Sequence, residues 1–370
     1  MNSTNMKKRL ILLTGALLLF AIAFTQERST WLSEKELTDL DSMLSSDPLF
    51  AQLITQFGDP VKLYEDFKLD LIRSDSIWQA DQQRLEVMQN LGVTEIFEMI
   101  PLIDGISQDP ELVSEPGVSY LIRTDEATIL FDVGLNAQGN DPSPLLNNMK
   151  KLGIQMDDID IIVISHNHGD HVGGNVWATQ QTFSLTGHQV DLGNMDIYVP
   201  EPMTYPDQEP NYSYDPVKIA EGVATIGVIH CPMFVSHVQE QAIAIHVKEK
   251  GIVVISGCGH QTIEKLVDRS EKIFEEPVYG LIGGFHLPVS ESRHIERWYG
   301  WVVTGKLPWN TLTKADVEQY VKLCQDHGIQ VAGISGHDSC DWSIQAFKKA
   351  YGDQYMDLLV GEKITLGRIQ

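Results

Sequence analysis

Residues Ser165–Gly174 read SHNHGDHVGG, and within them His166, His168, Asp170 and His171 form an H-x-H-x-D-H cluster. Three imidazoles and a carboxylate this close together are the donor set of a first-row metal site. Imidazole suits Zn, Fe, Mn or Co, and the carboxylate adds charge and a hard oxygen. The chain has 12 histidines, which would rarely cluster so tightly by chance. Just upstream, residues Ile159–Ile164 (IDIIVI) are almost continuously apolar, the pattern of a strand buried on both faces. The cluster is therefore expected at the C-terminal end of a core strand, where a rigid end and a Gly-containing turn aim several side chains at one point. His166 and His168, as alternate residues, can share one ion. Asp170 and His171, past Gly169, can reach a second.

This motif resembles the signature of the metallo-β-lactamase superfamily, and more of the chain fits. Residues 127–134 (ATILFDVG) look like that family's early strand ending in Asp-x-Gly, here with Asp132. Residues 251–260 (GIVVISGCGH) resemble the strand that normally ends in Gly-Asp, the bridging carboxylate. Cys258 stands at that place, followed by His260. Residues 282–287 (IGGFHL) look like the last ligand strand, with His286. The pair G-C-x-H and G-G-F-H-L is similar to the branch of dihydropterin-ribofuranosylaminobenzene-phosphate synthase. The resemblance spans roughly residues 94–340. It implies an α/β (α+β) fold, a four-layered αβ/βα sandwich with two divalent ions where loops converge at the sheet edges. Zinc is the first choice, with iron or manganese as alternatives. The implied ligands are His166, His168, Asp170, His171, His260 and His286. Cys258, His230 and Asp132 are further candidates as ligands or as supports behind them. His337, in the terminal GHDSC motif, is a candidate for substrate contact or proton transfer. His230 and His237 line the pocket or a loop if they do not bind metal.

Composition narrows the function. The chain has 370 residues and a formal charge of −24. So acidic a chain disfavours nucleic acid, whose binding depends on clustered Lys and Arg. A small-molecule substrate is expected instead. Lys7, Lys8 and Arg9 precede an apolar run, Leu10–Phe24, which ends in an A-x-A-like step at Ala21–Ala23. Residues 1–25 thus read as a signal peptide, or as an uncleaved anchor over residues 6–25 that would be the only membrane contact. An exported protein, periplasmic or extracellular, is expected. Residues 26–93 form an acidic preface. Leu32, Leu37, Leu40 and Leu44 recur at near-helical spacing, residues 78–91 read the same way, and Asp59-Pro60 interrupts. Several short helices, as a structural collar or near the entrance, are expected before a catalytic domain over 94–370.

Within that domain, residues 175–230 hold five prolines, with Tyr205, Tyr212 and Tyr214 among them, and either shape a pocket or form a distant surface loop. Residues 290–312, with Trp298, Trp301 and Trp309, read as a lid. Thr313 caps a helix over 314–327. The four cysteines are expected mostly free and buried. Two adjacent divalent ions lower the pKa of a bound water from 15.7 to about 7 and polarise the oxygen under attack. The expected activity is a metal-dependent hydrolase using a metal-bound hydroxide on an ester, lactone or phosphoester, with Asp170 orienting the nucleophile. The alternatives are the synthase-like activity and a non-catalytic metal- or ligand-binding protein of the same fold. A di-iron oxidoreductase fits less well, because no flavin domain is visible after residue 340. With Cys258 in place of Asp, β-lactamase chemistry also fits less well.

Overall fold

The computed structural model describes residues 31–367. The segment read as a signal or anchor therefore lies outside the described residues. The chain builds two sheets, in sequence order β1 (Ile96–Ile103), β2 (Ser119–Arg123), β3 (Thr128–Phe131), β4 (Ile161–Val163), β5 (Asp196–Val199), β6 (Asn211–Tyr212), β7 (Lys218–Ala220), β8 (Val223–Met233), β9 (Ser236–Val247), β10 (Gly251–Ser256), β11 (Val278–Gly283), β12 (Val331–Ile334) and β13 (Ile364–Gly367). The first sheet runs β13-β1-β2-β3-β4-β5-β6 and the second β12-β11-β10-β9-β8-β7.

Side-chain alternation along the strands makes the layers. In β10, Val253 and Ile255 face the other sheet, while Ile252 and Val254 pack outward under helices. In β4, Ile161 and Val163 face inward and Ile162 outward. With a period of two, only strands that are apolar at every position can serve two cores. The outer layers are helices: Pro144–Lys151 on the first sheet, and Ile263–Ile273, Lys314–Asp326 and Asp341–Tyr351 on the second. The result is the four-layered αβ/βα sandwich. Thr313 caps the helix over Lys314–Asp326 with Asp316 in a capping box.

The preface is helical: α1 (Glu34–Ser46), α2 (Pro48–Phe57) and α3 (Pro60–Arg84). Ser33, Asp47 and Asp59 cap their first turns, and Pro48 and Pro60 occupy first-turn positions, where a missing N–H costs nothing. The third helix is longer than expected at 25 residues and ends at Arg84, so the 78–91 stretch read as helical is helix only over its first half. Its Asp81 is buried against Arg269, with Nη2–Oδ2 at 3.0 Å. Phe50 and Tyr64 pack with Phe234, Trp301 and Val302 in a separate apolar cluster. Trp301 meets Phe50 edge-on at 5.5 Å, and Trp309 meets Tyr64 at 5.1 Å. Residues 290–312 are thus committed to the collar's core as a wall rather than standing free as a lid. The tyrosines of 175–230 serve the scaffold: Tyr205 donates to Val190 O at 2.8 Å, and Tyr214 to Asp81 at 2.9 Å. All four cysteines are free and buried.

Candidate metal centre

Parallel pairing of β3 with β4 and of β10 with β11 and β12 brings their C-terminal ends to one edge of each sheet. The loops leaving those ends carry His166–His171, Cys258–His260, His286 and His337. One glycine lets the halves meet, and a second lets two loops of the same sheet close up behind it. A Cβ on Gly257 would lie 2.2 Å from Ser165 Oγ, and one on Gly284 would lie 2.1 Å from Gly257 O. Asp132 and His286, at strand ends, hold positive φ of 61° and 46°, a strained conformation typical of functional sites.

The ring nitrogens can be accounted for one by one. His171 Nδ1 donates to the Asp132 carboxylate at 2.7 Å. His260 Nδ1 donates to Val303 O at 3.1 Å, and His286 Nδ1 to Cys258 O at 2.9 Å. Ser165 Oγ donates to Asp132 at 2.6 Å, so it accepts from His166 Nδ1 at 2.9 Å. Ser335 Oγ donates to Asp104 at 2.6 Å, so it accepts from His337 Nδ1 at 2.6 Å. Five imidazoles thus have Nδ1 committed as a donor, which leaves Nε2 as a bare lone pair. His260 Nε2 is buried with no hydrogen-bond partner, an atom that calls for a ligand.

These lone pairs converge on Cys258. Its sulfur is 3.0 Å from His171 Nε2 and 3.2 Å from His337 Nε2. Three sets of donor atoms lie mutually within 4.8 Å: Asp170, His171, Cys258 and His337; His166, Cys258 and His260; and Cys258, His286 and Asp338. Cys258 belongs to all three. His168 joins through Nδ1, 3.0 Å from His166 Nε2. Nitrogen, thiolate and only two carboxylates make a borderline-soft set, suited to zinc or iron and unlike the all-oxygen cages of calcium or magnesium.

Electrostatics follow burial and charge. Burial pushes His166 and His260 down and holds His168 and His337 at about 4, so these rings are neutral and ready to ligate. Burial acts the same way on His171 and His286, but the Cys258 sulfur and nearby carboxylates outweigh it and raise both. Burial likewise resists ionising Asp170, yet His171, His168 and His337 hold its carboxyl well below the usual range. The Cys258 thiol is pushed up by burial, against the pull of His171 and His286, and a dication beside it would deprotonate it.

The expected ligands His166, His168, Asp170, His171, His260 and His286 are therefore brought together, with Cys258 at their centre and Asp132 behind them. His337, expected as a substrate or proton-transfer group, stands among the candidate ligands instead. His230 is not brought in. Both its ring nitrogens are occupied, Nε2 with Asp70 at 2.8 Å and Nδ1 with Gln239 at 3.0 Å, because α3 covers its strand. His237 lies beside it on the exposed hairpin, the rings 5.0 Å apart.

Several residues at the site were missed. Glu240, buried on β9, accepts the backbone N–H of Cys258 at 3.0 Å, Gly259 at 2.9 Å and His260 at 2.8 Å, and so shapes the ligand loop. Burial raises its carboxyl to about 7. A lone acid in the apolar run EQAIAIHV was its signal. Asp338 accepts from His286 N at 2.8 Å. Tyr299 opens the short helical turn that ends at Val303, whose carbonyl meets His260. Burial raises its phenol, with further repulsion from Asp170 and Cys258.

Comparison with known proteins gives a consistent picture. Residues 114–227 match the model of the metallo-β-lactamase superfamily. The 7,8-dihydropterin-6-methyl-4-(β-D-ribofuranosyl)-aminobenzene-5'-phosphate synthase of Methanocaldococcus jannaschii is 27% identical over 257 residues, covering 56% of this chain and 84% of its own. A solved metal-dependent hydrolase of the β-lactamase superfamily is 22% identical, covers 74% of this chain and 100% of its own, and aligns with a TM-score of 0.49. The metallo-β-lactamase fold protein YhfI from Bacillus subtilis is 14% identical, with 73% and 99% coverage and a TM-score of 0.42.

Proposed function

We propose, from the match of residues 114–227 to the metallo-β-lactamase superfamily, that the chain is a dinuclear metal-dependent hydrolase that cleaves an ester, lactone or phosphoester bond in a small molecule. The observation that carries this reading is the gathering of histidine and carboxylate donors around the Cys258 sulfur, with His171 Nε2 and His337 Nε2 within 3.2 Å of it and His260 Nε2 buried without a partner. Zinc fits that donor set best. His166, His168 and His260 would hold one ion, with His286 beside His260 and Cys258 as a further ligand; Asp170, His171 and His337 would hold the other; Cys258 would serve both.

A pair of such ions supplies hydroxide at neutral pH and polarises the oxygen under attack. The remaining work falls to the chain. Asp132, Ser165, Val303 O and Ser335 hold the rings in one tautomer. Glu240 fixes the loop that presents Cys258 and His260. The side chain of Asp170, a third exposed, can orient the nucleophile. Tyr299 stands on the same side as a donor for a substrate oxygen.

The test is metal content per chain, with hydrolysis of chromogenic phosphodiester, lactone and carboxylic ester substrates, for wild type, Asp170→Ala and His286→Ala. Two ions, with activity lost in both variants, is the expected result. A folded protein without metal, or activity untouched by both changes, refutes the reading. A second reading, activity like that of the synthase relative, is favoured by the 84% of that protein which the alignment covers. Turnover of a ribosyl-phosphate donor in place of the hydrolytic substrates would select it. Export through residues 1–25 belongs to the first reading. It is tested by fractionating expressing cells and measuring the N-terminal mass of the mature protein.

A further inference from the structure

Asp104 ends β1 in the first sheet, and Ser335 follows β12 in the second. The two meet in the interior, and both are fully buried. Asp104 collects four donors. Its Oδ2 accepts Tyr120 OH at 2.8 Å and Ser335 Oγ at 2.6 Å, and its Oδ1 accepts Gly105 N at 2.6 Å and Gly336 N at 2.9 Å. A phenol and a serine hydroxyl each carry one proton, and both point at this carboxylate. Ser335 Oγ is left with lone pairs only. It accepts from His337 N at 3.2 Å and from His337 Nδ1 at 2.6 Å. His337 therefore carries its proton on Nδ1, and Nε2 is turned to the Cys258 sulfur at 3.2 Å.

The first half of the molecule repeats the device: Asp132, Ser165 Oγ and His166 Nδ1 form the same chain of bonds at 2.6 and 2.9 Å. The two chains differ in reach. Asp132 braces a ligand of its own sheet, whereas Asp104 crosses from one sheet to the other.

We propose that Asp104 and Ser335 are positioning residues of the second metal position, a cross-sheet brace that locks the His337 tautomer and aims its Nε2 at the ion shared with Asp170, His171 and Cys258. The proposal rests on the metal-centre reading. Neither residue touches metal or substrate; both act through His337. The brace also makes occupancy of the second position depend on the seating of one sheet against the other.

The test uses the full chain. Zinc stoichiometry and affinity are measured by competition with a chromophoric chelator for wild type, Ser335→Ala, Ser335→Thr, His337→Ala and the double variant Ser335→Ala/His337→Ala. Loss of a partner behind a ligand typically weakens metal binding about 10- to 100-fold. Ser335→Ala should keep one ion at wild-type affinity and lose the second by that factor. Ser335→Thr, which retains the hydroxyl, should restore it. The double variant should bind no worse than His337→Ala, because one interaction is removed twice. If Ser335→Ala binds two ions like wild type, or if the two losses add, the brace falls while the metal centre stands. If wild type binds no zinc, both fall. A measurement on the unaltered metal-free protein guards against variants that do not fold. Imidazole 15N shifts should show His337 protonated at Nδ1 and bare at Nε2, and the opposite tautomer overturns the proposal.

Discussion

Cys258 is the residue on which the centre turns. Its sulfur is common to every candidate ligand group, and each of the two ions would need it. Cys258→Ala should cost both ions, seen as loss of zinc on dialysis against a weak chelator. Cys258→Asp, of similar volume and able to bridge through two oxygens, should keep both. Glu240 acts one step further out. Its carboxylate holds three successive N–H groups, and Glu240→Gln would turn an amide N–H₂ toward donors. Leaving buried donors unmatched costs about 1–3 kcal/mol, so a lower melting temperature together with reduced zinc content is expected. Tyr299 should behave differently. Tyr299→Phe is expected to retain both ions and lose kcat/KM, most with poor leaving groups, in the same chromogenic assays.

At the scale of elements, the first and third helices of the collar are joined through a carboxylate that titrates. Glu36 closes the capping box on Ser33 and meets Lys68 of α3 at 2.7 Å. The Lys68 hydrogen bond, with the bonds from Ser33, holds its carboxyl at about 2, below the ordinary 4.5. A depressed carboxylate stabilises the fold above its unfolded pKa, and that contribution is lost as pH falls from 4.5 through 2. Glu36 is partly exposed, so the effect is about 1 kcal/mol or less. Glu36→Gln should therefore lower stability at pH 7 and match wild type near pH 2, read by denaturant melts across pH. The collar also bears on chemistry. Phe50 packs on Trp301, two residues before the Val303 carbonyl that fixes His260.

The whole molecule is two sheets held face to face, with the candidate ligands divided between them. The His166–His171 loop comes from one sheet; Cys258, His260, His286 and His337 come from the other. Metal bound across that division binds only the folded chain, so it stabilises by mass action, about 2.7 kcal/mol per site at a free concentration 100 times Kd. Stripping with a chelator should lower Tm in calorimetry, and adding zinc should restore it. An unchanged Tm would place the ions, if any, away from the sheet junction.

The sequence by itself was enough to locate the metal cluster, because donor chemistry is carried by residue type and spacing, and His166, His168, Asp170 and His171 lie together in the chain. It was also enough to read a strand within Ile159–Ile164, found at Ile161–Val163, because a strand buried on both faces has to be apolar throughout, and to name His260 and His286 as candidates through motif resemblance. Tertiary structure decided the rest. His230 lies within β8 and His337 just past β12, and the apolar run before each does not say which ring reaches the centre. Packing of α3 gives His230 to Asp70, while Ser335 and Asp104, 231 residues apart in sequence, deliver His337 to the centre. Glu240, Asp104 and Val303 matter through hydrogen bonds to residues distant in the chain, and such partners are set by how the two sheets seat against each other, which no local pattern records.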